Sequence, residues 1–220
     1  VYLTVNMIYI VRLEPILKEL DNSPMVSVCV PARNEERGIR QCLESLLEQD
    51  YPHYEVIVVN DHSTDHTGHL IREMAEKDPR LIGFDGKDLP KGWLGKPFAL
   101  YQAFQKSKGE ILLFTDADPV FEPHALRTAI FTMRKHNLDA LTLMPKVKFG
   151  SFWERAVQPT IFGFIGSLTR FRKVNSSNHK TAMGFGAFLM FKRSSYEAIG
   201  GHEGGKADIL EDVLIAKRLQ

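Results

Sequence analysis

The chain has 220 residues, 44% of them hydrophobic and 25% charged, with 28 basic side chains against 27 acidic. That balance fits a globular chain with one sizeable core or two small ones, and it excludes collagen-like, disordered and disulfide-stapled classes. A net charge of +1 also argues against a dedicated nucleic-acid binder, which carries a basic excess.

Val1 to Val11 is uncharged and too short to span a bilayer, which takes about 20 residues. It has neither a basic leader region nor a cleavage site. It reads as a core strand or helix, or as the stump of a truncated membrane anchor, so residues 1–24 stand apart. From Met25 onward, short β-branched runs alternate with amphipathic stretches. Met25–Val30 reads as a buried strand, and Ile39, Cys42, Leu43, Leu46 and Leu47 share one helical face. A second strand covers Glu55–Val59, followed by a helix over Thr67–Glu76 and a strand at Arg80–Phe84. A polar, Gly-rich loop runs to Gly95, a helix covers Pro97–Lys106, and a fourth strand covers Ile111–Phe114. Pro123 suits the first turn of a helix reaching His136, and Ala140–Met144 is a fifth strand. This alternation predicts an α/β fold, a mostly parallel central sheet flanked by helices.

Lys146 to Lys180 differs in character. It holds seven basic residues (Lys146, Lys148, Arg155, Arg170, Arg172, Lys173, Lys180) and one acid, Glu154. Phe149, Phe152, Trp153, Phe162, Phe164 and Phe171 are interleaved with them. Such a segment suits a lipid headgroup layer, or a helix packed on the sheet with solvated ends. The rest of the chain is acidic, which makes single-stranded nucleic acid the weakest partner. At the far end Ile209, Val213, Leu214, Ala216 and Leu219 form a helical pattern that the sequence leaves in mid-course, as a fragment would. Cys29 and Cys42 match no metal spacing and read as buried thiols.

Three polar clusters follow strand ends, the edge of an open α/β sheet where ligands bind. Pro31-Ala32-Arg33-Asn34-Glu35-Glu36 is too polar for core. Asp61 comes too early to cap the next helix and suits a base or sugar, whereas Asp65 suits the cap. His62, His66 and His69 lack a closing Cys or carboxylate for zinc. Asp116-Ala117-Asp118 offers two carboxylates to a hard divalent cation. Pro90–Lys96 joins a flexible loop, an indole and two cations, a combination able to close over phosphates. Glu211-Asp212 opens a helix. Adjacent residues point about 100° apart there, so one of the two is expected to face the site as a proton acceptor.

Val28-Cys29-Val30-Pro31-Ala32-Arg33-Asn34-Glu35-Glu36, Val58-Val59-Asn60-Asp61-His62-Ser63-Thr64-Asp65, Thr115-Asp116-Ala117-Asp118 and Glu211-Asp212 occur in that order. The series resembles the family 2 glycosyltransferases from Met25 to Gln220. The resemblance implies a GT-A fold, with residues 25–145 as the nucleotide-sugar half and 146–220 as the acceptor half. It implies an inverting transfer from a UDP-sugar, assisted by Mg²⁺ or Mn²⁺. Carried over, Pro31, Arg33, Glu35 and Asp61 line the nucleoside pocket and Lys96 approaches the donor. Asp116, with Ala117 beside it, meets the ribose or metal, and Asp118 of this Asp-x-Asp motif holds the metal. Asp212 is the general base and Glu211 its neighbour.

The loop Pro90–Lys96 and Ser151-Phe152-Trp153-Glu154-Arg155 resemble the hopanoid- and carotenoid-associated subgroup. That implies a lipid acceptor with a hydroxyl or carboxyl group, and a place on the cytoplasmic face of the cell membrane. Processive members carry a Gln-x-x-Arg-Trp motif after the base, beyond the last residue here; the subgroup resemblance points to a single transfer. The competing expectation is a non-catalytic module of the same fold that binds a nucleotide or lipid.

Overall fold

The computed structural model describes residues 13, 15–16, 22–146, 150–168, 174, 183–208 and 211–219, with backbone alone at 154 and 162–168. The apolar run Val1–Val11 lies outside the described residues, as do Lys148, Phe149, Arg170, Phe171, Arg172, Lys173, Lys180 and Ile209.

In chain order the elements are β1 (Val26–Ala32), α1 (Ile39–Leu47), β2 (Tyr54–Asn60), α2 (Thr67–Lys77), β3 (Leu81–Asp85), α3 (Gly95–Lys106) and β4 (Ile111–Phe114). They continue with α4 (Ala125–Lys135), β5 (Ala140–Thr142), α5 (Phe152–Leu168), β6 (Leu189–Lys192), α6 (Arg193–Ala198) and α7 (Glu211–Arg218). The sheet order is β3-β2-β1-β4-β6-β5. β3, β2, β1 and β4 are parallel, and β6 runs antiparallel between β4 and β5. The expected α/β architecture is therefore the observed one.

Both faces of the sheet are covered, which is why its central strands are apolar without alternation. On one face Val26, Val28 and Val30 pack with Ile39, Leu43 and Leu46 of α1, Ile71 of α2 and Leu126 and Ile130 of α4. On the other, Cys29, Ile57, Val59, Leu112 and Phe114 meet Ala99, Leu100 and Ala103 of α3, Tyr196 of α6 and Ile215 of α7. Both cysteines are buried free thiols.

Three differences from the sequence reading have physical causes. Pro123 precedes α4 instead of opening it, because its carbonyl accepts the Asp50 N–H at 2.9 Å. The Gln49 side chain accepts the Leu126 N–H at 3.0 Å and so caps the helix start. β5 stops at Thr142, where its partner β6 begins at Leu189; Met144, beyond it, is exposed. β6 itself was not expected. Its four residues have no period to read, and its pairing partners lie far away in sequence.

Candidate active site

Ala32 and Asn60 are register partners at the ends of β1 and β2, so their following loops leave the sheet side by side. Short polar residues stitch them together. The Asn34 N–H donates to Ser63 Oγ at 3.1 Å, the Glu35 N–H to Thr67 Oγ1 at 2.8 Å and the Glu36 N–H to Asp65 Oδ2 at 3.2 Å. In return Asn34 Oδ1 accepts the Thr64 N–H at 2.8 Å. Asn34 and His62 both take positive φ, at 56°, a conformation that Asn and His tolerate better than most residues. Asp65 accepts the Thr67 N–H at 3.0 Å, the helix-start role expected of it. His62 and His66 serve different carboxylates, Asp61 at 3.2 Å and Glu36 at 3.1 Å.

Asp61 is largely shielded, with Arg33 Nη1 3.7 Å away. Its carboxylate faces the first residue of α3, where a Cβ on Gly95 would come within 3.0 Å of Asp61 Oδ2. The positive end of a helix favours an anion there. Leu94, just before α3, has no side-chain cap to give.

Lys96, one residue further, joins the two halves of the site. Its Nζ lies 2.8 Å from Asp116 Oδ1, which follows β4, and 2.8 Å from Glu211 Oε1 at the start of α7. Burial alone would lower the ammonium; hydrogen bonds and attraction from Asp116 and Glu211 outweigh it and push Lys96 up to about 12. A raised lysine stabilises the fold fully below its unfolded value near 10.4 and loses that contribution as pH climbs through about 12. The bridge is thus intact across the neutral range.

Gly184 lets α7 approach, and Gly186 leaves room for Lys96 and Asp116. A Cβ on Gly184 would lie 2.1 Å from the Asp212 carbonyl oxygen, and one on Gly186 3.1 Å from Lys96 Nζ. The Gly186 N–H donates to Asp212 Oδ2 at 2.9 Å, and Asp212 Oδ1 accepts the Val213 N–H at 2.8 Å. Both adjacent carboxylates therefore reach the site, correcting the expectation that only one would. They stand at the helix end, where Glu211 turns to Lys96 and Asp212 to the Gly186 loop.

Asp118 is exposed, and its Cβ lies 3.5 Å from where a Gly38 side chain would begin. Ala117 is buried and Pro31 half-buried. The Glu35 carboxyl is raised by burial and then by Asp118, Asp116 and Asp65. The Cys42 thiol is pushed up to about 12 by burial and by Asp118, Asp116 and Glu35. Asp116 and Asp118 thus act together on Glu35 and on Cys42. Among the described residues no group of three or more ligating side chains could enclose a metal. Two carboxylates do fit a hard cation that takes its remaining ligands from phosphate oxygens and water.

The loop before α3 is anchored. Trp93 packs edge-on against Phe98 and tilted against Tyr101, at centroid distances of 5.3 and 5.0 Å. The Leu94 N–H donates to the Lys206 carbonyl at 2.8 Å. Sequence reading gave no role to Gly184, Gly186, Tyr196 or His202. A Gly-x-Gly before a short apolar run was the available signal for the glycines, and no local signal marked the buried Tyr196–His202 pair. Further out, α5 shows Phe152 74% and Trp153 72% exposed, with Val157 and Ile161 on the surface. No helix among the described residues is long and apolar enough to cross a membrane.

The chain belongs to glycosyl transferase family 2, whose sequence model matches residues 27–200. It is 27% identical over its whole length to a Staphylococcus haemolyticus protein named 4,4'-diaponeurosporenoate glycosyltransferase, covering 57% of that protein. It is 40% identical over 112 residues, half of the chain, to 26% of the probable glycosyltransferase YdaM of Bacillus subtilis. The chain spans about half the length of the carotenoid-associated relatives it matches. Among solved structures it is similar to the Pyrobaculum calidifontis mannosyltransferase PcManGT in complex with GDP-Man and Mn²⁺. The TM-score is 0.69 and the identity 25%, over 99% of this chain and 58% of that one. The fold is that of the GT-A glycosyltransferases.

Proposed function

We propose that the chain is the catalytic domain of an inverting glycosyltransferase that moves a sugar from a nucleoside-diphosphate sugar, a UDP-sugar, to a hydroxyl or carboxyl of a lipid acceptor. The observation that carries this reading is the Lys96 bridge, which ties Asp116 to Glu211 at the same sheet edge as Arg33, Glu35 and Asp61. Residues 25–145 form the nucleotide-sugar half in this reading and 146–220 the acceptor half.

Pro31, Arg33, Glu35 and Asp61 border the nucleoside. Asp116, with Ala117 behind it, meets the ribose or the metal, and Lys96 draws the diphosphate. Asp116 and Asp118 would hold Mg²⁺ or Mn²⁺, which neutralises a departing diphosphate when bound. The Mn²⁺ in the PcManGT complex supports that choice. Asp212 accepts the acceptor proton as the acceptor oxygen forms its bond to the anomeric carbon. The bond from that carbon to the phosphate oxygen breaks, its electron pair leaves on the diphosphate, and the configuration inverts. Positioning and fixed charge supply most of the acceleration.

The relatives named for a long-chain acid support an apolar acceptor. Exposed Phe152 and Trp153 beside the exposed Arg155 suit a lipid headgroup layer, consistent with a place on the cytoplasmic face of the membrane. The test is transfer of labelled sugar from UDP-glucose or GDP-mannose, with Mn²⁺, to a long-chain polyene acid in anionic vesicles. Labelled lipid product is the expected result. Nucleotide binding without product would mark a binding module of the same fold and overturn the catalytic reading.

A further inference from the structure

Behind the Lys96–Glu211 pair lies a small cavity of about 10 Å³, lined by Lys96, Thr115, Gly186, His202, Glu211 and Asp212 among others. That is room for about one water. His202 is 2% exposed and sits in the turn between α6 and α7. Its ring packs edge-on against Phe114 at 4.7 Å, Lys96 lines the same cavity, and Arg218 donates to the neighbouring Gly201 carbonyl at 2.9 Å.

Hydrogen-bond accounting fixes where its proton sits. The His202 backbone N–H donates to Tyr196 Oη at 3.0 Å, so that oxygen already acts as an acceptor. The same oxygen lies 2.7 Å from His202 Nδ1. Tyr196 is 1% exposed, and a buried hydroxyl proton needs an acceptor. Nδ1 is the acceptor at hand. If Nδ1 carried a hydrogen instead, the Tyr196 O–H would lose that acceptor. With Tyr196 O–H donating to Nδ1, the ring proton resides on Nε2, at the opposite edge of the imidazole. Burial, followed by Arg218 and Lys96, lowers His202 to about 3, and burial raises the Tyr196 phenol. Both directions agree with a neutral ring facing an intact phenol.

We propose that His202 is a positioning residue for the acceptor-side carboxylates: held by Tyr196 as the Nε2–H tautomer, it presents a fixed neutral donor to the cavity it shares with Lys96 and Glu211, and holds Glu211 through one water. A neutral donor orients a carboxylate without changing the charge of the site, whereas a second cation would compete with Lys96 and with a metal. Glu211 so held keeps the first turn of α7 in place, and with it Asp212. The inference rests on the reading of Glu211-Asp212 as acceptor-side machinery.

Two measurements test it. Nitrogen-15 NMR of the histidine rings in the wild-type chain should show His202 with hydrogen on Nε2 and a bare Nδ1; hydrogen on Nδ1 overturns the proposal without any variant. In the transfer assay His202→Phe keeps the ring packing and removes both nitrogens. It should lower kcat about 10- to 100-fold, the range for losing one hydrogen bond to a charged group, with donor KM within about twofold. His202→Gln can accept from Tyr196 and donate to the cavity, and should restore kcat to within about threefold of wild type. Unchanged kcat in His202→Phe, or a Gln variant as poor as Phe, overturns the positioning role and leaves the transferase reading standing. A wild-type chain that transfers nothing fails that reading and removes the positioning role with it.

Discussion

Asp212→Asn is expected to lower kcat by about 10²- to 10⁴-fold on a hydroxyl acceptor, the range for losing a positioned general base, with donor affinity within about twofold. The amide is close in shape and still accepts one of the two backbone N–H groups that the carboxylate holds, from Gly186 and Val213. What it loses is the capacity to take a proton. The acceptor decides how much that matters. A carboxylic acid is already ionised at neutral pH, so no proton needs removing and the same variant should lose only about tenfold, through misplacement. Single-turnover rates on a long-chain alcohol and a long-chain acid would measure the difference. Equal losses on both would mean that Asp212 acts by holding Gly186 and α7 in place.

Lys96→Met should weaken nucleoside-diphosphate binding by about 10- to 100-fold, the loss expected when a charge-assisted contact disappears. Methionine keeps the apolar stem but leaves Glu211, whose side chain is 10% exposed, beside Asp116 and Asp212 without its cation. Removing one partner of a buried pair costs about 3–5 kcal/mol. Lys96 and Asp116 are 39% and 37% exposed, and solvent screening reduces the expected loss of stability to about 1–3 kcal/mol. The Arg33–Asp61 pair makes a useful contrast. At 3.7 Å, with Arg33 63% exposed, Arg33→Ala should change stability by less than about 0.5 kcal/mol. Chemical denaturation of the two variants, paired with UDP titration, separates the two positions.

Much of this site is legible in the sequence, because its parts sit at strand ends and strands announce themselves. Val28–Val30, Val56–Val59 and Ile111–Phe114 are apolar runs long enough to place Arg33, Asp61 and Asp116 at one edge. This edge of the site therefore follows from local pattern and order. The α7 side depends on contacts distant in sequence. Glu211 meets Lys96 only because β6 inserts antiparallel between β4 and β5, and four residues, Leu189–Lys192, carry no readable period. Helical geometry allowed one of Glu211 and Asp212 to face the site. It missed that Gly184 admits the helix end itself and that the Gly186 N–H meets Asp212 there. His202 reads as one more residue in a Gly-rich turn, since its partner Tyr196 lies in a six-residue helix and the pair is defined by burial.

Calorimetric titration with UDP and GDP, with and without Mn²⁺, measures directly whether this sheet edge is a metal-assisted nucleoside-diphosphate site. Asp118 is exposed and makes no side-chain hydrogen bond or ion pair among the described residues, so Asp118→Ala should fold as the wild type does. The predicted result is nucleotide binding that requires Mn²⁺ in the wild type and disappears in Asp118→Ala. Binding that is indifferent to Mn²⁺ and survives in the variant would contradict it, as would a wild-type chain that binds neither nucleotide.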